Sequence, residues 1–327
     1  EWLIRPPGAP TIRLVAEGYL VELMERVATW ERTVEGTDGE IKSCPVVPPK
    51  WAFAALSGRG AWKFPRLEAV VEAPCFLVDG SILDKPGLDR RTGLLYEPGD
   101  VVFPPIPASP TREDGLRALA ELREVFADFP FKAPHHKSAA IGGVLSLVGR
   151  YAIPGGVPMH GVSAHAAGSG KGLLVDSVAL IATGHEAPKM AHVVDDEAEE
   201  AKQILTIGLE GDRLAVIDNV EAPLGSGALA NALTSRIYKG RILGFSKSGQ
   251  APMTASWWAT GNGLQYRGDL ARRVVPIDLD ANCENPEERE GFAHPDLLAW
   301  VRTHRPRLVV AALTVLRAFH VAGRPRT

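Results

Sequence analysis

The stretch His165-Ala-Ala-Gly168-Ser169-Gly170-Lys171-Gly172 constrains this chain more than any other. It follows the apolar run Met159 to Ala164 and opens a second apolar stretch, Leu173 to Thr183. A glycine-rich turn between a buried strand and a helix leaves backbone N–H groups unpaired at the positive end of the helix dipole, so it can hold phosphates. Lys171 stands where a lysine reaches the outer phosphates of a nucleotide. The strict pattern G-x-x-x-x-G-K-[ST] is broken twice, because His165 replaces the first glycine and Gly172 replaces the hydroxyl residue that ligates Mg²⁺.

Such a turn needs a sheet around it, and 327 residues with 45% hydrophobic content can bury a sizeable core. Apolar runs and helix-period stretches then alternate. They predict a strand at 158–164, a helix at 171–183, a strand at 191–195, a helix at 197–208, a strand at 213–218 and a helix at 226–235. This is the order of an α/β fold with a parallel sheet. Further strands are expected over 241–246, 253–259 and 273–279, the first two flanking the turn Lys247-Ser-Gly-Gln-Ala-Pro252.

Around this core, residues 151–285, the sequence predicts three flanking parts. Residues 1–99 read as a small α+β module with hairpins near Ser81 to Thr92. A stiff linker from Glu97 to Pro110, with prolines at 98, 104, 105, 107 and 110, leads into residues 100–150, which continue as a helical subdomain. Thr111 with Asp114 reads as a helix N-cap, and a second helix is expected from Ala139. His135 and His136 lack a partner at metal-ligand spacing and are expected at the surface. Residues 286–327 read as a lid-like helical module, with helices at 295–303 and 306–321.

No run of about 18 apolar residues occurs, so no membrane span is expected. Cys44, Cys75 and Cys283 are too scattered for a disulfide framework or a zinc site, as expected in a reducing cytoplasm. A chain opening on Glu1 is expected to be a piece of a longer protein. With a net charge of −3, any nucleic-acid contact must come from local patches. Two stretches qualify: Arg236 to Arg267, which lacks acids, and the run from Arg302 to Arg326.

Leu214-Ala-Val-Ile217-Asp218 is an apolar strand ending in a carboxylate about 47 residues after Lys171, where a phosphate-loop fold places the aspartate that holds Mg²⁺ directly or through water. Asn219 follows and cannot take a proton from water, so Glu221, Asp195, Asp196 and Glu199 stand as alternatives for polarising it. The acidic run 195–200 also suits a solvated helix start. Trp257-Trp258-Ala-Thr260-Gly261-Asn262 ends a strand in an amide that can position water or a γ-phosphate. Arg272 and Arg273 precede the last strand, where an arginine can reach a neighbouring subunit's nucleotide.

Taken in order, Gly168-Ser-Gly-Lys171, Val216-Ile-Asp218-Asn219, Ala259-Thr-Gly-Asn262 and Gly268-Asp-Leu-Ala-Arg-Arg273 resemble the AAA+ ATPase domain of phage and plasmid primase-helicases, close to the superfamily 3 helicases. The likeness extends to Asp79-Gly80-Ser81, Pro86 to Asp89, Thr92-Gly93 and Asp128 to Phe131. It implies a ring-forming ATP-driven DNA helicase in a bacterial cytoplasm, hexameric, acting on single-stranded or forked DNA and often joined to a primase-polymerase. ATP and Mg²⁺ would be its cofactors. By resemblance, Ala167, Gly168, Ser169, Gly170, Lys171, Gly172 and Leu173 cradle ATP, with Lys171 as the Walker A lysine. Asp218 is the Walker B aspartate and metal ligand, beside Asn219. Asn262 is the sensor 1 residue, and Arg272 or Arg273 the arginine finger. The family's channel hairpin places Lys247 on the nucleic acid. The alternatives are an initiator or loader that does not unwind processively, and a degenerate ATP-binding scaffold.

Overall fold

The computed structural model describes residues 15–35, 39–59, 62–241, 248–283 and 285–325, which divide into two compact units at 66/67. Lys247 lies outside the described residues. The first unit holds helix α1 (Glu17–Val27), the antiparallel hairpin β1 (Glu31–Glu35) and β2 (Ile41–Pro45), and helix α2 (Lys50–Ser57).

The second unit opens with five short strands: β3 (Ala69–Val71), β4 (Cys75–Phe76), β5 (Ile82–Leu83), β6 (Gly87–Asp89) and β7 (Leu94–Tyr96). They enclose a small core of Val71, Cys75, Leu77, Leu94 and Tyr96. Helix α3 (Arg112–Val125) starts where the sequence predicts, with the Thr111 hydroxyl accepting from the Asp114 amide and the Asp114 carboxylate accepting from the Thr111 amide. Helix α4 (Pro134–Val148) starts five residues before the expected position, because Pro134 is preset for the first turn. That shift corrects the placement of His136: it is buried, with Nδ1 3.1 Å from the Pro276 carbonyl oxygen.

The remaining elements are β8 (Met159–Ala164), α5 (Lys171–Thr183), β9 (Lys189–Ala191), α6 (Glu197–Glu210), β10 (Leu214–Val220), α7 (Gly227–Ala232), β11 (Ile237–Arg241), β12 (Ser248–Pro252), β13 (Ser256–Asn262), β14 (Val274–Leu279) and α8 (Leu297–Val321). Five strands form one parallel sheet in the order β14-β8-β13-β10-β9. The α/β architecture with a parallel sheet is therefore as expected. Both faces are covered, and side-chain alternation decides which residue goes where. Leu214, Val216 and Trp258 enter the core built with α3, α4, α5 and α8, whereas Ala215, Ile217 and Trp257 enter the core built with α6 and α7.

Three expectations are corrected. The strand expected over 191–195 ends at Ala191, because Asp195 turns into left-handed backbone (φ 57°) and Asp196 caps α6 by accepting from the Glu199 amide. The hairpin expected over 241–259 is shifted: β11 pairs with β12, and the supposed turn residues Ser248 to Pro252 are a strand. The two C-terminal helices are one, with Pro306 inside it. Its Val301, Leu308, Val309 and Ala312 belong to the same core as α5, which makes α8 a wall of that core. Among the described residues no helix is long and apolar enough to cross a membrane.

Candidate functional site

The sheet order places the C-terminal end of β8 between those of β13 and β14, and in open parallel sheets ligands bind outside such ends. The turn 165–170 leaves β8 there. Gly168 (φ 70°) and Gly170 (φ 88°) adopt left-handed backbone that an L side chain resists, and the Ser169 hydroxyl donates to the Ala166 carbonyl at 2.7 Å. Helix α5 begins at Lys171 with no side-chain cap, so its first amides are not taken by a capping side chain.

The Lys171 ammonium donates to Asn262 Oδ1 at 2.8 Å and to the Ala166 carbonyl at 3.2 Å, leaving a third proton for another acceptor. Partial burial holds it below the usual lysine range, with Asp218 acting the other way. Asn262 reaches it because β13 pairs in register with β8, placing Asn262 beside Ala164.

Asp218, on the next strand, accepts at Oδ1 from the Thr260 hydroxyl over 2.5 Å. The same hydroxyl oxygen accepts from the Asn219 amide at 3.1 Å, which ties β10 to β13 where Asn219 turns left-handed (φ 49°). The Asn219 side chain donates to Glu221 Oε1 at 3.1 Å. Of the other carboxylates considered for water, Asp196 is the helix cap and Glu199 pairs with Lys202 at 3.0 Å. Glu200, expected on a solvated helix start, is buried, and burial raises its pKa.

The donor set on the metal side is small but suits Mg²⁺, which keeps most of its waters and takes one or two carboxylates plus substrate phosphates. Asp218 fits the part of such a carboxylate, because its Oδ2 accepts no hydrogen bond from a described residue. Gly172 has no hydroxyl to add. A Cβ built there would lie 3.6 Å from the Lys189 ammonium, which itself donates to Asp176 Oδ2 at 2.9 Å. Burial disfavours the charge on Lys189, but Asp176, with Asp218 and Glu186 behind it, holds its pKa above the ordinary value.

Arg272 and Arg273 are not brought to this cluster. They end a 3₁₀ turn at the N-terminal end of β14, where Val274 pairs with Met159. Six strand residues, about 20 Å, separate them from the end of the sheet where the glycine turn lies. Both pair with Asp269, and Arg273 also donates to the Ala230 carbonyl at 2.8 Å. Arg272 is 74% exposed and Arg273 23%.

Three residues at the site escaped the sequence: Thr260, Lys189 and Glu287. Thr260 stands two places before Asn262 on an apolar strand, and only the β10–β13 pairing reveals its partner. Glu287 lies over the glycine turn, with Oε2 2.6 Å from where a Cβ on Gly168 would sit, and no motif marks it.

No known family's sequence profile matches the chain, and no curated protein sequence does. Among solved structures, the chain is similar to the apo C-terminal region of NrS-1, with a TM-score of 0.45 and 12% identity over 92% of this chain and 70% of that one. A second structure of that region, residues 305–718, gives 0.44 and 11% over 95% and 75%. An inhibitor-bound JCV helicase gives 0.29 and 16% over 68% and 55%.

Proposed function

We propose that the chain is the ATP-hydrolysing motor of a ring-forming replicative helicase of the AAA+ class that moves on single-stranded DNA. The observation that carries this reading is the meeting of Lys171, Asn262 and the Asp218–Thr260 pair at the C-terminal ends of adjacent parallel strands, beside a left-handed glycine turn. In this reading the turn's amides and the third proton of Lys171 take the β- and γ-phosphates. Asn262, already fixed by Lys171, orients the γ-phosphate or the attacking water through its amide. Water attacks the γ-phosphorus, the bond to the β-phosphate bridging oxygen breaks, and Glu221, held by Asn219, draws off the proton. Asp218 would hold Mg²⁺ at this site, and the ion would supply charge neutralisation there.

The distance of Arg272 and Arg273 from their own glycine turn is what an arginine serving a neighbouring subunit requires. The hairpin β11–β12 carries the exposed residues Lys239 and Arg241 on its first strand, next to the segment that includes Lys247. These cations suit phosphate contacts that read no base. A possible fused primase-polymerase belongs to the same proposal.

The test is ATP turnover with and without single-stranded DNA, followed by strand displacement on a forked duplex. Stimulated turnover with displacement supports the motor. Turnover without displacement points to an initiator or loader, and binding without turnover points to a scaffold.

A further inference from the structure

Gly172 and Asp176 lie four residues apart, on one face of α5. Lys189, the first residue of β9, lies across that face. Its ammonium is held by Asp176, which is itself fixed by accepting from the Ala187 amide at 3.2 Å. The ammonium lies beside the space into which a Ser or Thr at 172 would project, since a Cβ there would meet it at 3.6 Å, an ordinary contact distance. In phosphate-loop proteins that hydroxyl holds the metal against the β- and γ-phosphates. A dication held by such a hydroxyl would sit close to this ammonium, and like charges at that range oppose one another. Asp176 takes one of its three protons, and the side chain is 36% exposed, so the other protons can reach a ligand. Asp218 is within Coulombic range of both Lys171 and Lys189.

We propose that Lys189 is a second phosphate-binding lysine, a protein-borne cation on the side of the nucleotide where related sites use a hydroxyl-held metal. The inference rests on the nucleotide reading above and adds that triphosphate binding depends little on Mg²⁺. The competing explanation is a plain ion pair fastening β9 to α5, and the two differ in what Asp176 does. As a fastener, Lys189 and Asp176 are equivalent. As a phosphate ligand, Lys189 is needed and Asp176 only holds it.

The experiment measures the affinity of a fluorescent ATP analogue for the full chain in EDTA and in Mg²⁺, with thermal melting as a check on folding. The parent is expected to bind within about threefold in the two conditions. Lys189→Met should weaken binding in EDTA about tenfold or more, the scale of one charge-assisted hydrogen bond, and recover part of the loss in Mg²⁺. Asp176→Asn should bind in EDTA as tightly as the parent or more so. If Lys189→Met melts early, Lys189→Gln, which keeps a hydrogen bond to Asp176 without the charge, should show the same loss. Equal EDTA affinities for the parent and the uncharged variants overturn the role of Lys189, as does an equal loss in Asp176→Asn. A folded parent that binds no analogue, or binding that survives Lys171→Ala, overturns the phosphate site itself.

Discussion

Lys171 Nζ and Asn262 Oδ1 are 2.8 Å apart, so the first residue of α5 and the last residue of β13 are joined across the C-terminal edge of the sheet. The pair assigns different failures to its two members. Lys171→Ala removes the phosphate ligand and should abolish both ATP binding and turnover. Asn262→Ala leaves the lysine and should keep binding while lowering kcat about 100-fold, the usual scale for one lost polar contact to a transition state. Titration and turnover on both variants check this, and a Lys171→Ala protein with normal hydrolysis would sink the assignment.

Thr260 holds Asp218 and Asn219 at once while being buried itself, so its hydroxyl fixes the aspartate's direction. Thr260→Val keeps the shape and removes the donor. It should lower turnover about 10- to 100-fold, as outer-shell substitutions do, and cost about 1–3 kcal/mol of stability. Thr260→Ser should restore most of the activity. Rescue by serine separates orientation of Asp218 from simple packing.

The elements of this site that depend on local sequence were legible, and those that depend on strand order were not. The turn with Lys171 is announced by a strand, glycines and a helix in sequence, and Asp218 and Asn262 each close an apolar strand. Lys189 and Thr260 carry no such signal, because their partners are met only in the fold: Asp176 on α5 for Lys189, and Asp218 across the β10–β13 pairing for Thr260. His136 was misplaced for a related reason: its partner is the Pro276 carbonyl, 140 residues away. After α5 the run Val193-Val194 has strand character, but β9 ends at Ala191 and the chain turns left-handed at Asp195 into the Asp196 cap of α6.

The two arginines before β14 should separate cleanly. Arg273 is bound to the Ala230 carbonyl and to Asp269 within its own chain, so Arg273→Ala should lower the melting temperature. Arg272 is exposed and pairs only with Asp269 among the described residues, so Arg272→Ala should leave melting unchanged. If Arg272 serves a neighbouring nucleotide, Arg272→Ala should bind ATP without turning it over. Mixing it with Lys171→Ala chains should then restore part of the activity at interfaces that hold one intact copy of each. Mixed assemblies with no recovery would count against the role in trans.

Glu287 sets a carboxylate over Gly168, where a phosphate is proposed to bind. Like charges at an exposed position repel weakly, so Glu287→Gln should tighten ATP binding by about threefold at low salt and less at high salt. An unchanged dissociation constant at low salt would show that Glu287 lies outside the nucleotide's field.

His160 gives the last prediction. It sits on β8, an interior strand of the sheet, buried and stacked on Trp258 with ring centroids 4.5 Å apart. Burial pushes its pKa down to about 4 from 6.5. A histidine whose folded pKa lies below its unfolded value costs nothing while both states are neutral, above about pH 6.5. As the pH falls from there toward 4, the unfolded chain takes up a proton that the folded chain refuses, and stability declines throughout that window. At pH 4.5 the loss from this one residue is about 2–3 kcal/mol, from 1.36 kcal/mol per pKa unit. His160→Phe keeps an aromatic ring against Trp258 and removes the titration. Urea unfolding at pH 7.5 and pH 4.5 should therefore show the variant losing less stability on acidification by about that amount. If parent and variant decline equally, protonation of His160 is not what weakens the sheet in acid.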